Sequence, residues 1–342
     1  MELKSKVANF LAETDHLTFE PISNGHINNT FLVKASDGKK YILQKINTAV
    51  FPSPKNIAHN HLEVNKILEG KGYQRHLLKP VIGRNANYLD AEEQQWRLVE
   101  FIEDSHTHLK VPNPQTAYKA AEAFSEFYAL VNSGEASILD PLPGFINFEK
   151  RIADYRAVLE TAPADLKNTA AAEIAFVNEH LDLPTQWIES DKQGLLPKRV
   201  IHADPKISNT LFGSDGEVLA VIDLDTVMYG TLLYDFGDMI RSYTNTADED
   251  DAKVLNNFSA EIYSEVKRGF LSHLDGVLTD NEKSLLDYAS AVVIYIQAVR
   301  FLADYLGGST YYSIKYPEHN LDRTKNQINL LKGLMRYHEH GV

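Results

Sequence analysis

The alternation of apolar and polar residues is strand-like over much of the first hundred residues. The β-rich runs TFLVK and YILQKI flank SDGK, and an Asp-Gly pair between two such runs predicts a hairpin. A further apolar run, WRLVEFIE at 96–103, predicts a buried strand. Helical spacing of apolar residues predicts helices over 1–16 and from about Lys55 to Leu68. Residues 1–103 are therefore expected to form a small β-rich lobe.

Helical patterns dominate from residue 104 onward. Predicted helices include AYKAAEAFSEFYALV, the Ala-rich segment 161–176, and LLDYASAVVIYIQAVRFLADYL. The last of these is apolar almost all round, which predicts a buried core helix. One strand-rich island interrupts the helices at 199–226. The pattern predicts an α+β fold with a second, larger and mostly helical lobe, 104–342.

Composition and charge narrow the class of protein. The 342 residues are 44% hydrophobic and 24% charged, which is typical of a globular chain. The absence of cysteine excludes disulfides, thiolate nucleophiles and Cys–zinc sites, and it fits a reducing compartment. A net charge of −13 argues against a nucleic-acid partner. The N-terminus lacks a signal-like apolar core, and apolar stretches look shorter than the ~20 residues of a membrane span. We therefore expect a cytoplasmic protein with no nucleic-acid or membrane partner. Separately, we expect a monomer or a small homo-oligomer.

The segment VIHADPKISNTLF contains the most distinctive polar residues. His202, Asp204 and Asn209 lie between apolar pairs, and a strand, VLAVID, follows and delivers Asp223 at its end. Asp225 lies two positions further, so its side chain would point the same way if the strand continued. Two carboxylates and an amide oxygen form a hard, oxygen-only ligand set, which suits Mg²⁺.

The spacing of these residues matches a known catalytic pattern. Protein kinases use H-R-D-x-x-x-x-N followed by a metal-binding Asp. By that pattern Asp204 is the catalytic base, and Asn209 and Asp223, with Asp225, hold Mg²⁺. His202 would brace the loop. A literal DFG at 235–237 lies 26 residues past Asn209 without a strand of its own, so Asp235 is interpreted as a structural anchor of the loop. The alternative interpretation is a polar turn with solvated carboxylates.

These motifs resemble the aminoglycoside phosphotransferase/choline kinase superfamily, which has a two-lobed protein-kinase-like fold. Its H-G-D-x-x-x-x-N reads His202-Ala203-Asp204…Asn209 here, with Ala203 in place of the usual Gly. Its I-D-x-[DE] and Y-D-F segments occur at 222–225 and 234–236. SNGHINNTFLV, YILQKINTAVF and the segment 300–331 resemble the N-acetylhexosamine 1-kinases in particular. That resemblance implies transfer of phosphate from ATP to the anomeric hydroxyl of N-acetylglucosamine or N-acetylgalactosamine.

The nucleotide site is marked only weakly in the sequence. Asn24 and Gly25, in the turn SNGHINNT, are candidates to cover the phosphates with backbone N–H groups. In YILQKI the slot of the usual strand cation is Gln44, and Lys45 would point the other way unless a bulge turns it inward. Either residue could contact phosphate.

Two further nucleotide contacts rest on position along the chain. Glu63, on the following helix, could pair with Lys45 as the helix Glu does in kinases. The segment LVEFIE would be the hinge between the lobes, with the backbone of Glu100 and Ile102 binding the adenine edge.

The candidate acceptor site rests on three residues. His26 would border the acceptor, and the resemblance points to Arg300 and Tyr311 as sugar contacts. Arg300 is the one basic residue of a long apolar helix, and a buried Arg requires an acidic partner or a polar ligand. Its structural alternative is an ion pair with Asp235 or Asp304.

The sequence as a whole predicts an ATP- and Mg²⁺-dependent small-molecule kinase. The leading acceptor is an N-acetylhexosamine. One alternative keeps the kinase and changes the acceptor to choline, ethanolamine or an aminoglycoside. Another is a nucleotide-binding pseudokinase that acts through partners. A protein kinase is disfavoured, because only eight residues separate Thr226 from Asp235, too few for an activation loop.

Overall fold

The computed structural model describes residues 2–22, 27–83, 88–90 and 92–340. The chain forms two compact units, each built from segments that are distant in sequence. Unit 1 comprises Met1–Thr107, Phe127–Pro143 and Asn209–Tyr229; unit 2 comprises His108–Glu126, Gly144–Ser208 and Gly230–Val342. Two later segments thus join the N-terminal residues in unit 1, which a division at residues 103 and 104 does not anticipate. The lobe boundary itself stays a prediction.

Unit 1 is built on a four-stranded antiparallel sheet with the strands in chain order. The predicted hairpin is confirmed as β2 and β3, and β4 covers only the first five residues of the predicted strand at 96–103. The strands are β1 (Thr18–Ile22), β2 (Asn29–Lys34), β3 (Lys40–Lys45) and β4 (Trp96–Glu100).

One face of this sheet carries an apolar core. Val33, Leu43 and Leu98 are fully buried there, together with Val7 and Phe10 from the N-terminal segment. The helix α1 is Glu2–Val7, shorter than the predicted 1–16, since the chain turns after Val7 to place Phe10 against the sheet. The helix predicted from about Lys55 is confirmed as α2 (Pro54–Gly70), which starts with the Pro that a first helical turn tolerates.

Unit 1 also contains a two-stranded sheet, which precedes the candidate residue Asp223. β6 (Thr210–Phe212) and β7 (Val218–Val221) pair antiparallel across the GSDGE turn. A single turn of 3₁₀ helix, Leu224–Thr226, follows β7. The remaining short strands are β5 (Arg199–Ile201) and β8 (Met228–Gly230).

Unit 2 is mainly helical around α11 (Leu286–Leu306). Fifteen of the 21 residues of α11 are buried, and the helix packs against other helices of the unit, which confirms the predicted core helix. The Ala-rich segment is not one helix: it divides at Ala170 into α5 and α6. The first of the other helices, α3 (Pro114–Val131), has its last five residues in unit 1. The others are α4 (Phe148–Thr161), α5 (Ala164–Thr169), α6 (Ala171–Glu179), α7 (Thr185–Lys192), α8 (Leu232–Tyr243), α9 (Ala260–Leu271), α10 (Asp280–Ser284) and α12 (His319–His340).

By length and composition alone, α11 is the one described helix that could cross a membrane. Of its apolar stretch, 72% is buried inside the protein. The expectation that every apolar stretch is too short for a span is therefore wrong for this helix. Ala and β-branched residues keep its hydropathy high between the few polar positions. A buried core helix meets the same criterion, so the observation is weak evidence for a membrane span.

The contact between α8 and α11 depends on a glycine. A Cβ on Gly237 would lie 2.6 Å from Val293 Cγ2 and 2.8 Å from the Ala289 carbonyl oxygen. We therefore expect Gly237→Ala to lower the free energy of unfolding by about 1–3 kcal/mol through overpacking, despite the better helix propensity of Ala. Urea denaturation measures the effect. Gly70→Ala is the matched control, because a Cβ there meets no atom within 4 Å, and it should be neutral or slightly stabilising. An equal loss in both variants would contradict close packing at Gly237.

Candidate active site

The His-x-Asp loop of unit 2 is anchored by a buried carboxylate. Asp235, in the first turn of α8, accepts the backbone N–H of His202 at 2.7 Å and that of Ala203 at 3.0 Å. Ala203 has φ = +63°, a conformation that favours Gly and that explains why relatives place Gly there. Asp235 is fully buried, so its hydrogen bonds hold the loop in a strained shape. This is the position that an anchor of the loop requires.

His202 supports the same loop from within the core. Its side chain is fully buried, and its ring packs edge-to-face against Phe124 with the centroids 5.1 Å apart. Its Nδ1 lies 3.3 Å from the Asp204 backbone N, which donates to it. The structure thus places His202 where it braces Asp204.

Asp204 keeps part of its carboxylate at the surface of unit 2. Its side chain is 27% exposed, and Lys206 Nζ lies 2.6 Å from Oδ2. Sequence reasoning missed Lys206, although its spacing of two from Asp204 was visible. An ionised carboxylate that is held rigidly and stays accessible can accept a proton from a bound hydroxyl.

Asn209 and Asp223 are brought together within unit 1. The backbone N–H of Ile222 donates to the Asn209 carbonyl oxygen at 2.9 Å, which joins the start of β6 to the residue before Asp223. Asp223 has φ = +63° and ψ = +57°, so the chain leaves the strand direction at this residue. The expectation that Asp223 and Asp225 point the same way along a continuing strand is therefore wrong.

Both carboxylate oxygens of Asp225 have partners in unit 1. Arg97 Nη1 lies 2.5 Å from Oδ1, and Asn28 Nδ2 donates to Oδ2 at 2.7 Å. Asp225 is 2% exposed and Arg97 is 4% exposed. These contacts argue against Asp225 as a metal ligand and favour Asp223, which is less buried.

The residues that remain still suit Mg²⁺. In the described part of the chain, no group of three or more His, Cys, Asp or Glu side chains is arranged to hold a metal ion. Asn209 and Asp223 offer an amide oxygen and a carboxylate. Mg²⁺ is commonly bound by one or two carboxylates while it keeps waters and substrate phosphates, so this donor set fits it.

The register of the sheet shows which way the Gln44 and Lys45 side chains point. Gln44 lies opposite Arg97, and its Oε1 accepts from Arg97 Nε at 3.0 Å. Lys45 faces the other side, 3.1 Å from Glu93 and over the Trp96 ring. The pairing of β3 with β4 continues through position 45, so the proposed bulge is wrong.

Glu63 of α2 does not form the predicted ion pair with Lys45. Glu63 lies 3.5 Å from Lys66, while Lys45 pairs with Glu93. Of the other predicted nucleotide contacts, Asn24 and Gly25 lie outside the described residues, as does the predicted acceptor contact His26.

The hinge residues have part of their backbone engaged. The N–H of Glu100, the last residue of β4, donates to the Lys79 carbonyl oxygen at 2.8 Å. The Ile102 carbonyl oxygen accepts from Ser105 Oγ at 2.6 Å. An adenine edge would therefore be bound by the other group of each residue, the Glu100 carbonyl and the Ile102 N–H.

Arg300 lies in an aromatic environment of unit 2. Its Nη1 donates to Gln297 Oε1 at 3.0 Å, and its guanidinium lies 5.3 Å from the Phe145 ring and 5.6 Å from the Tyr312 ring. The described residues offer it no carboxylate ion pair. Although burial by itself lowers the pKa of Arg300, the nearby tyrosines Tyr312, Tyr234 and Tyr311 raise it to a net value above the ordinary one.

Neither expected acidic partner takes Arg300. Asp235 holds the His202 loop, and Asp304 accepts the backbone N–H groups of Thr310, Tyr311 and Tyr312 at 2.9–3.0 Å. Asp304 thereby fixes the turn after α11. Tyr311 on that turn is 61% exposed, and its ring packs edge-to-face on Tyr312.

Sequence reasoning missed three residues near these clusters. Arg151 lies close enough to Arg300 that burial and that charge lower its pKa, and its Nε is buried without a hydrogen-bond partner. The Tyr243 hydroxyl is also buried without a partner, and burial, with the Asp238 and Asp204 charges, raises its pKa. Arg97 did leave a signal, as the one cation within the apolar run of β4.

Solved structures with the same fold are known for several kinases. The microcompartment-associated aminopropanol kinase has a TM-score of 0.67 at 14% identity, with 99% of this chain and 97% of that chain covered. A choline/ethanolamine kinase family protein from Mesorhizobium loti has a TM-score of 0.60 at 16% identity, with 99% and 96% covered. Amicoumacin kinase in complex with AMP-PNP and Ca²⁺ has a TM-score of 0.59 at 15% identity, with 96% and 92% covered. These similarities confirm the predicted α+β, kinase-like fold.

The family follows from the sequence itself. Residues 18–267 match the model of the phosphotransferase enzyme family named APH. The matched range includes the whole sheet of unit 1, the His-x-Asp loop and the strand before Asp223. Since it spans well over half of the chain, this protein belongs to the phosphotransferase enzyme family.

Proposed function

We propose that the protein is an ATP- and Mg²⁺-dependent kinase that phosphorylates the anomeric hydroxyl of an N-acetylhexosamine. The carrying observation is the anchored loop that presents Asp204, in a chain whose Asn209 and Asp223 follow at kinase spacing. Membership of the phosphotransferase family supports the reaction type. The amicoumacin kinase complex with AMP-PNP and Ca²⁺ supports use of a nucleotide and a divalent cation.

The residues divide the chemistry between them. Asp204 would orient the acceptor hydroxyl and accept its proton as the bond to phosphorus forms. Asn209 and Asp223 would hold Mg²⁺, which when bound neutralises charge on the phosphates. Lys206, 2.6 Å from Asp204, places a positive charge beside the base. Positioning and fixed charge then account for the catalysis, with no covalent intermediate on the protein.

The charge around Arg300 favours a neutral, polyhydroxylated acceptor. Two arginines of unit 2 are coupled electrostatically, because burial and the Arg300 charge lower the pKa of Arg151. A quaternary ammonium or an aminoglycoside is a cation, and both arginines would repel it. Sugar hydroxyls and an acetamido carbonyl can accept hydrogen bonds from these donors, and the Phe145 and Tyr312 rings offer an apolar surface. This observation ranks the N-acetylhexosamine above choline or aminoglycoside acceptors.

The proposal is tested by ADP release in Mg²⁺ and ATP with a panel of acceptors: N-acetylglucosamine, N-acetylgalactosamine, glucose, choline and kanamycin. We expect turnover with an N-acetylhexosamine and an anomeric phosphate signal in the phosphorus NMR spectrum of the product. Turnover restricted to choline or kanamycin would contradict the acceptor and keep the kinase. ATP binding with no turnover for any acceptor would favour the pseudokinase.

Asp204→Asn should reduce kcat by about 10²–10⁴-fold, because the substituted amide cannot accept the proton. Binding of ATP, measured by calorimetry, should change little. Asp275→Asn is the control, since that carboxylate is 92% exposed and pairs only with a surface lysine. Near-full activity of Asp204→Asn would rule out its role as the base.

Arg300→Ala should raise the KM for the sugar about 10–100-fold, the loss expected for one or two charge-assisted hydrogen bonds. The KM for ATP should stay within about twofold of the wild-type value if Arg300 contacts only the acceptor. Arg156→Ala, at an exposed position of α4, is the matched control. Equal increases in both KM values would indicate a structural Arg300.

A further inference from the structure

The ion pair that protein kinases use beside the nucleotide is not formed by its usual residues here. In kinases a lysine on the third strand pairs with a helix glutamate. Here the inward position of β3 is the neutral Gln44, while Lys45 pairs with Glu93 and Glu63 lies by Lys66. The cation beside Gln44 comes instead from the neighbouring strand, as Arg97.

We propose that the buried Arg97–Asp225 pair replaces the strand-lysine pair and positions the Asp223 turn for a metal-bound nucleotide. Arg97 is then a positioning residue that acts through Asp225. This inference rests on the ATP and Mg²⁺ part of the proposed function and is independent of the acceptor.

The geometry of Arg97 fits a fixed support. Nη1 lies 2.5 Å from Asp225 Oδ1, and Nε donates to Gln44 Oε1 at 3.0 Å, so two edges of the guanidinium are held. Gln44 Nε2 in turn donates to Thr30 Oγ1 on β2 at 3.2 Å. Three strands of the sheet therefore fix the orientation of one charge.

Asp225 transmits that orientation to two segments. Its Oδ2 accepts from Asn28 at 2.7 Å, and the Asn28 side-chain oxygen accepts the Asn47 N–H at 3.0 Å. Asn28 belongs to the segment SNGHINNT that is predicted to cover the phosphates, and it directly precedes β2. Asp225 itself lies in the 3₁₀ turn that begins after Asp223. One carboxylate therefore ties Asn28 to the turn that follows the predicted metal ligand.

The far end of the same segment is also held. The Val227 carbonyl oxygen accepts from Asn60 Nδ2 of α2 at 3.0 Å. Residues 223–227 are thus fixed at Asp225 by the sheet and at Val227 by the helix. Little freedom remains for Asp223, whose left-handed backbone needs such support.

The surroundings of Arg97 favour a role in positioning over one in stability. Burying two charges costs desolvation that their attraction only partly returns, so an apolar pair would stabilise the fold about as well. Burial lowers the pKa of the Arg97 guanidinium, but Asp225, Tyr88 and Asp223 raise it to a net value above the ordinary one. The neighbouring His61 stays neutral, because burial and the Arg97 charge lower its pKa to about 4. Among these groups, Asp225 is the carboxylate that contacts Arg97 directly.

The test is binding of AMP-PNP by calorimetry, with and without Mg²⁺, to wild type and to Arg97→Gln, Arg97→Lys and Asp225→Asn. We expect Arg97→Gln and Asp225→Asn to weaken Mg²⁺-dependent binding about 10–100-fold, as removal of outer-shell partners does. Metal-free AMP-PNP should bind all variants about equally. Arg97→Lys should recover part of the lost Mg²⁺-dependent affinity. The double variant Arg97→Gln/Asp225→Asn should bind the Mg²⁺ complex no more weakly than the single variant with the lower affinity.

Arg199→Gln is the matched control for lost stability. Arg199 also pairs with a buried carboxylate: in unit 2 it forms two hydrogen bonds, at 2.5 and 3.1 Å, to the fully buried Glu282. It should lower the thermal midpoint without changing Mg²⁺-dependent binding. Should Arg97→Gln fail to fold, Arg97→Lys and the double variant carry the same comparison.

Three results would overturn the inference. Wild-type affinity of Arg97→Gln and Asp225→Asn for the Mg²⁺ complex would remove the positioning role. An equal loss with and without Mg²⁺ would make Arg97 a direct nucleotide contact instead. Failure of wild type to bind Mg²⁺ and AMP-PNP would reject this inference together with the nucleotide part of the proposed function. A wrong acceptor alone leaves all these measurements valid, because binding needs no acceptor.

Discussion

The structure of unit 1 around the candidate metal site depends on one buried carboxylate, Asp225, whose two oxygens both have partners. One oxygen contacts Arg97 of the sheet, and the other accepts a hydrogen bond from Asn28. An unpaired charge at 2% exposure would be severely destabilising, so these partners are obligatory once Asp225 is buried. The requirement fixes Arg97 of the sheet, Asn28 and the segment that carries Asp223 relative to one another.

Unit 2 uses a related solution for the catalytic loop. Asp235 is fully buried and is satisfied by backbone N–H groups of His202 and Ala203. Its oxygens stabilise Ala203 in a left-handed backbone conformation that is unfavourable for a residue other than Gly. Each unit has a buried carboxylate that holds the chain near a candidate residue: Asp235 holds the Asp204 loop in unit 2, and Asp225 holds the Asp223 turn in unit 1. Asp204 and Asp223 themselves keep partial exposure. Rigid support of this kind lowers the reorganisation that phosphoryl transfer would require.

The acceptor that we propose rests on the electrostatics of unit 2 and not on the fold. Similar folds occur in kinases named for aminopropanol and for choline or ethanolamine. Here burial and the Arg300 charge lower the pKa of Arg151, aromatic rings lie beside Arg300, and the described residues offer Arg300 no carboxylate pair. A fold shared across a family does not by itself fix the substrate.

The sequence by itself determined the strands and helices with strong periodicity, the His202–Asp204–Asn209 spacing, and the identity of Asp235 as a non-catalytic residue by its place in the chain. These features are local, so they can be predicted from the chain without knowing which residues contact each other in the fold. Only the tertiary structure showed that Gln44 faces Arg97 while Lys45 faces Glu93, because strand register depends on pairing across the sheet. It also showed that Asp225 pairs with Arg97, 128 residues away. No sequence pattern encodes such a contact, since a buried charge is satisfied by whatever folding brings beside it.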